Sequence, residues 1–241
     1  MPHLAPWQWL LGVFSAFMIG VAKTGAPGVG SLISPVMVIT IGDARLAAAW
    51  MQPMLSTGDF IALAYWWRHT EARRLFSLVP WVVVGILAGW AALSQRELLL
   101  RRMVAGVILT MLAVQLWRKW RAGEPSPGGA AFYGIAAGFA ATIANAAGPV
   151  MNLYLLSKKL PKEKFVATGA AFFCVVNLLK VPIYAGYHLY SAGSLLFDLG
   201  MAPMVLVGAL AGRWIIQNMR QSVFEILIIV LTAISSVLLL A

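Results

Sequence analysis

The 241-residue chain is 61% hydrophobic and only 11% charged, with a mean hydropathy of +0.84. Soluble domains carry about 25% charged residues, so this composition excludes an ordinary soluble protein and points to an all-α polytopic membrane protein. The net charge of +10 does not mark a nucleic-acid binder, because the basic residues sit mostly in short loops between apolar runs, where membrane topology accounts for them.

In chain order, residues 1–5 carry no Lys or Arg and no small-residue cleavage site, so the chain is read as opening on a retained first span. Apolar runs predict helices over 6–23, 31–42, 44–67, 75–95, 99–117, 130–145, 149–157, 165–187, 195–216 and 222–240. Eight approach the roughly 20 residues that a span requires, whereas 31–42 and 149–157 are too short. A polar linker at 118–129, with Glu124-Pro125-Ser126-Pro127, divides one integral membrane domain into halves at about 1–122 and 130–241. Cys174 is the sole cysteine, so an intrachain disulfide and a thiolate metal cluster are both excluded.

The first run breaks in Lys23-Thr24-Gly25-Ala26-Pro27-Gly28-Val29-Gly30, where three glycines and a proline make poor helix. Broken backbone at membrane depth survives only where it is buried in protein or lines a cavity. If each break folds the chain back, the basic loops collect on one side. Arg68, Arg73, Arg74, Arg118, Lys119, Arg121, Lys158, Lys159, Lys162, Lys164, Arg213 and Arg220 then share a face, which must be cytoplasmic. Arg45, Arg96, Arg101 and Arg102 remain outside, and both termini face away from the cytoplasm. Tryptophans agree with this threading: Trp7 and Trp9 fall at the outer interface, and Trp66, Trp67, Trp117, Trp120 and Trp214 near the inner one.

The halves also share a pattern. Pro80 to Gly89 and Pro203 to Gly212 both read P-x-V-x-V-G-x-L-A-G, and Thr24-Gly-Ala-Pro-Gly28 answers Asn145-Ala-Ala-Gly148-Pro149. With the re-entrant threading, these are two inverted-topology repeats, each with a short half-helix, an architecture that puts a transport site at the repeat interface.

An anion at that interface needs N–H donors and positive potential, which helix N-termini supply. The substrate-binding candidates are therefore Lys23, Thr24, Gly25, Ala26, Gly28 and Ser31 at the first break and Asn145, Ala146 and Gly148 at the second. Gln52, Asn177 and Lys180 join them from long helices. Asp59 lies well inside a predicted span and corresponds to Asn177 in the other half; it either neutralises Lys23 or Lys180 or carries a coupling proton. Pro53, Pro80, Pro182 and Pro203 are expected to kink spans. His188 and Asp198 fall near a loop and read as solvated, and Cys174 as a small packing residue.

These residues carry a resemblance. Gly25-Ala-Pro-Gly28 with Pro35, Gly148-Pro149-Val-Met-Asn-Leu-Tyr154-Leu-Leu156, Phe172-Phe173, Asn177, Lys180-Val-Pro182 and the paired decapeptide follow in order over nearly the whole chain. The sequence resembles the sulfite exporter TauE/SafE family, also called the TSUP permeases. The resemblance implies export or uptake of sulfite, sulfoacetate, another organosulfonate or thiosulfate across a bacterial inner membrane.

The leading expectation is a secondary transporter working by alternating access, with no cofactor or metal and the bilayer as its surroundings. A homo-oligomer is left open. An anion channel or thiosulfate permease is the alternative, since channels also use opposed half-helices. No Walker motif is present, and His3, His69 and His188 are scattered without H-E-x-x-H, so neither ATP-driven transport nor an intramembrane enzyme is expected.

Overall fold

A computed structural model describes residues 5–92, 129–144 and 147–238, with isolated positions 99, 102, 106, 109 and 113. Most of the helix predicted over 99–117, the linker through residue 128, and Asn145 and Ala146 fall outside the described residues. Elsewhere the chain forms α1 (Pro6–Thr24), α2 (Gly30–Ile41), α3 (Ala44–Trp66), a 3-10 turn (Trp67–His69), α4 (Ala72–Ala92) and α5 (Ala130–Ala144). It continues with α6 (Ala147–Ser157), α7 (Lys162–Gly186), α8 (Ala192–Asn218) and α9 (Gln221–Leu238), with no strand among the described residues. Each helix lies where an apolar run predicts it, with ends within three residues. By length and composition, α7, α8 and Leu75–Ala92 of α4 can each cross a membrane.

Local chemistry sets the ends. Pro6 opens α1, where its missing N–H costs nothing, and the Gln8 side chain accepts from Ala5 N at 2.7 Å. Gly42 closes α2 in the left-handed region (φ 84°), its N–H donating to Val38 O. Asp43 Oδ1 then accepts from Leu46 N at 2.8 Å at the start of α3. Ser191 and Ser194 form a reciprocal cap at the start of α8.

The two short helices fold back on their predecessors. Gln8, early in α1, donates from Nε2 to Thr40 O, late in α2, at 2.7 Å. Tyr133, early in α5, meets Tyr154, late in α6, with ring centroids 5.3 Å apart. Loops that the charge count assigns to one face also meet. Lys164 Nζ pairs with Glu71 at 2.7 Å, Thr168 Oγ1 accepts from Glu71 N, and Lys162 Nζ donates to Ile216 O and Met219 O at the end of α8. At the other end Trp9 and Trp50, from the starts of α1 and α3, stack on Phe197 near the start of α8.

Helix pairs are drawn together by small residues. Along α1 and α8 a Cβ on Gly20 would overlap Val205 O, and one on Gly208 would overlap Phe17 O. Along α4 and α5 the same holds for Gly85 against Ile135 O and Gly138 against Val82 O. Gly208→Ala should therefore lower stability by about 1–3 kcal/mol through overpacking. Gly200→Ala, with open space beyond it on the same helix, should be neutral or stabilising by up to about 1 kcal/mol. Thermal unfolding of the two variants in one detergent checks the contrast; equal melting temperatures would refute the close-packing account.

Two apolar cores result. One gathers α1, α2, α3 and the first half of α8; the other gathers α4, α5, α6, α7 and α9. The outward faces of α4, α8 and α9 expose large apolar side chains such as Phe76, Leu199, Trp214 and Ile226, which suits lipid rather than water. Trp7, Trp67 and Trp214 are exposed and Trp9 is partly buried against Phe197, whereas Trp66 is buried and is a core residue.

Candidate functional site

Between the two cores, α3 and α7 cross and hold a buried polar centre. Asp59 is fully buried, and its Oδ1 lies 2.6 Å from Lys23 Nζ. Asn177 of α7 donates from Nδ2 to the other oxygen, Oδ2, at 2.6 Å, and its backbone carbonyl accepts from Gln52 Nε2 at 2.6 Å. Gly58 makes room for the Lys23 stem, since a Cβ there would come within 2.9 Å of Lys23 Cγ. The Lys23 ammonium also lies 4.5 Å from the Phe173 ring centre. Lys23 is thus turned inward and does not snorkel to an interface.

Beside this centre lies a cavity of about 80 Å³, room for a few waters or one small anion. Both chain breaks reach it: Lys23, Pro27, Gly28 and Gly30 from the first, Ala147 and Gly148 from the second. The α6 N-terminus therefore presents the positive end of its dipole to this space. Asn177 and Lys180 line it from α7, with Lys180 only 3% exposed. Two lysines and one carboxylate, that of Asp59, meet here, so basic groups outnumber acidic ones. In a low-dielectric interior a cationic group attracts an anion far more strongly than in water.

The cavity also contains a residue that sequence reading passed over. Asn152 of α6 is 1% exposed, lines the cavity, and has no hydrogen-bond partner for Nδ2 among the described residues. Its amide sits against Gly28, where a Cβ would lie 3.2 Å from Nδ2 and where φ is +114°. Only glycine meets both demands comfortably. The available signal was an amide inside an otherwise apolar 11-residue helix.

Other predicted site residues are placed differently. Thr24 Oγ1 reaches Ala209 O of α8 at 2.6 Å, and Gly25 abuts Gly212, so both join α1 to α8 and neither lines the cavity. Ala26 is buried without lining it, Ser31 falls in the first turn of α2, and Gln52 braces Asn177 from behind. Asn145 and Ala146 lie outside the described residues. His188 is exposed, with φ 53°, and Cys174 is buried, both as expected. Asp198 is a correction: it is buried, not solvated. Among the described residues no group of three or more His, Cys, Asp or Glu is placed to hold a metal ion.

An all-helical fold with apolar outer faces, spanning helices and buried charges around a small cavity defines a multi-pass membrane protein with an internal polar site. Residues 11–239 match the family model described as sulfite exporter TauE/SafE, and the chain belongs to that family of membrane transporters. Comparison with curated proteins and with solved structures returned no match.

Proposed function

We propose that the chain is a secondary transporter of a small sulfur-containing anion, sulfite or an organosulfonate such as sulfoacetate, across a bacterial inner membrane. The observation that carries this reading is the cavity shared by both breaks, where Lys23, Lys180, Asn177 and Asn152 converge, two basic groups against the one carboxylate of Asp59. Its size suits a compact oxyanion. The substrate-contacting groups are Lys180, Asn152, Asn177 and the backbone around Gly28 and Gly148. Asp59 orients Lys23 and Asn177 from behind.

Alternating access follows from two inverted repeats, and three observations support them. The pairs α1–α8 and α4–α5 exchange when the first four helices are matched in order with α5–α8. Gly85 and Gly208 of the twin decapeptides play the same packing role. Asp59 and Asn177, which correspond at an offset of 118, touch each other, as repeat mates do only near a shared two-fold axis. The meeting of Glu71, Lys162 and Lys164 with the end of α8 supports a common cytoplasmic face for those loops, and hence eight spans, two re-entrant half-helices and outward termini.

The test is a binding panel of sulfite, thiosulfate, sulfoacetate, sulfate and acetate on purified protein. Sulfur anions should bind and acetate should not; binding of no sulfur anion would sink the reading. Asn152→Ala should weaken sulfite binding about 10- to 100-fold, the worth of a hydrogen bond to a charged group. Saturable counter-exchange of labelled sulfite in proteoliposomes distinguishes a carrier from a channel.

A further inference from the structure

Outside the cavity, one buried acid has no counterpart. Asp198 lies in the second turn of α8, 6% exposed, and neither carboxylate oxygen has a hydrogen-bond or ion-pair partner among the described residues. Its chain neighbour Phe197 is fully buried and stacks against Trp9 of α1 and Trp50 of α3. On the α7–α8 loop His188 points to the exterior, and at the α2–α3 turn Asp43 is exposed and already caps Leu46.

The titratable group that does face Asp198 is Tyr190. Its hydroxyl is also buried and without a partner among the described residues. Burial, with the Asp198 carboxyl beside it, pushes this phenol up to about 12, so it stays a neutral donor. The Tyr190 ring lies 6.3 Å from that of Tyr184, and Lys180 Nζ lies 5.8 Å from the Tyr184 ring centre. Two aromatic rings thus stand between Asp198 and a lysine that lines the cavity.

A lone carboxylate in apolar surroundings does not persist as an anion; it takes up a proton or binds a cation. A hard metal cation needs a shell of several oxygens, and among the described residues no group of three or more His, Cys, Asp or Glu is placed to hold one. A proton needs a single oxygen. We propose that Asp198 is a proton-binding site, separate from Asp59, that serves the transport cavity from the end of the molecule carrying the α7–α8 loop. Its role in coupling rests on the transporter reading above; its protonation does not.

Infrared difference spectroscopy of the full-length protein in nanodiscs tests the site directly. At neutral pH the wild type should show the C=O stretch of a protonated carboxylic acid, which ordinary carboxylates have lost by then. The band should vanish in Asp198→Asn and persist in Asp59→Asn. Its absence from the wild type, its survival in Asp198→Asn or its loss in Asp59→Asn would each overturn the proposal. The wild-type spectrum needs no variant, so a poorly folded Asp198→Asn does not blunt the test. In proteoliposomes, Asp198→Asn should flatten a several-fold dependence of sulfite transport on the pH at that face. An unchanged profile overturns the coupling role. A wild type that shows the band but moves no sulfur anion would remove the transport reading and leave the proton site standing.

Discussion

Asp59→Ala is expected to destabilise the protein by about 3–5 kcal/mol, because it strands a buried cation. Lys23 Nζ loses a partner at 2.6 Å, and Asn177 loses the acceptor for Nδ2 at the same distance. Neither group reaches solvent easily, since the Lys23 side chain is only 10% exposed and Asn177 only 3%. Lys23→Met should be costly as well, leaving the carboxylate with one amide donor. The double variant Lys23→Met/Asp59→Asn removes both charges and keeps the volumes, so it should recover most of the loss. Thermal unfolding of the wild type, Lys23→Met, Asp59→Asn and the double completes the cycle. Simple addition of the two single losses would show that the pair does not act as a unit.

How much of this was legible beforehand differs from residue to residue. The helices were, because a bilayer demands long apolar runs and the chain supplies them between polar breaks. The fold-back of α2 and α6 was legible too, since only that threading gathers the basic loops on one face. Which side of each helix faces the cavity was not. Lys23 and Thr24 are neighbours about 100° apart on α1, so only one can point inward. The choice is made by Gly20, Gly208 and Gly212, which bring α8 against the Thr24 side. Asp198 was misplaced because its helix was read from residue 195. The Ser191–Ser194 cap starts it at Ala192 and carries the acid one turn deeper. Asn152 stands in the motif that carries the resemblance but was not singled out as a site residue, because the half-helix was read for the break at its start. In each case the missing information is the identity of the neighbouring helix, which one chain's periodicity does not contain.

The cavity's charge makes the sharpest functional expectation. Lys180→Met should weaken sulfite binding by about 100-fold while the protein still folds, since methionine fills the same space. A unit charge about 4 Å from an anion contributes up to about 4 kcal/mol at an effective dielectric of 20, part of which is lost to desolvation. Counting charges separates this role from that of Lys23. Loss of Lys180 leaves at the cavity only Lys23, paired with Asp59 at 2.6 Å. The double variant Lys23→Met/Asp59→Asn instead removes that ion pair and keeps Lys180. It should bind sulfite within about tenfold of the wild type, a difference of at most about 1.4 kcal/mol. Titration calorimetry on the wild type, Lys180→Met and the double variant decides the matter. Equal losses in the two variants would mean that the ion pair itself forms the anion site, and undiminished binding by Lys180→Met would remove Lys180 from it.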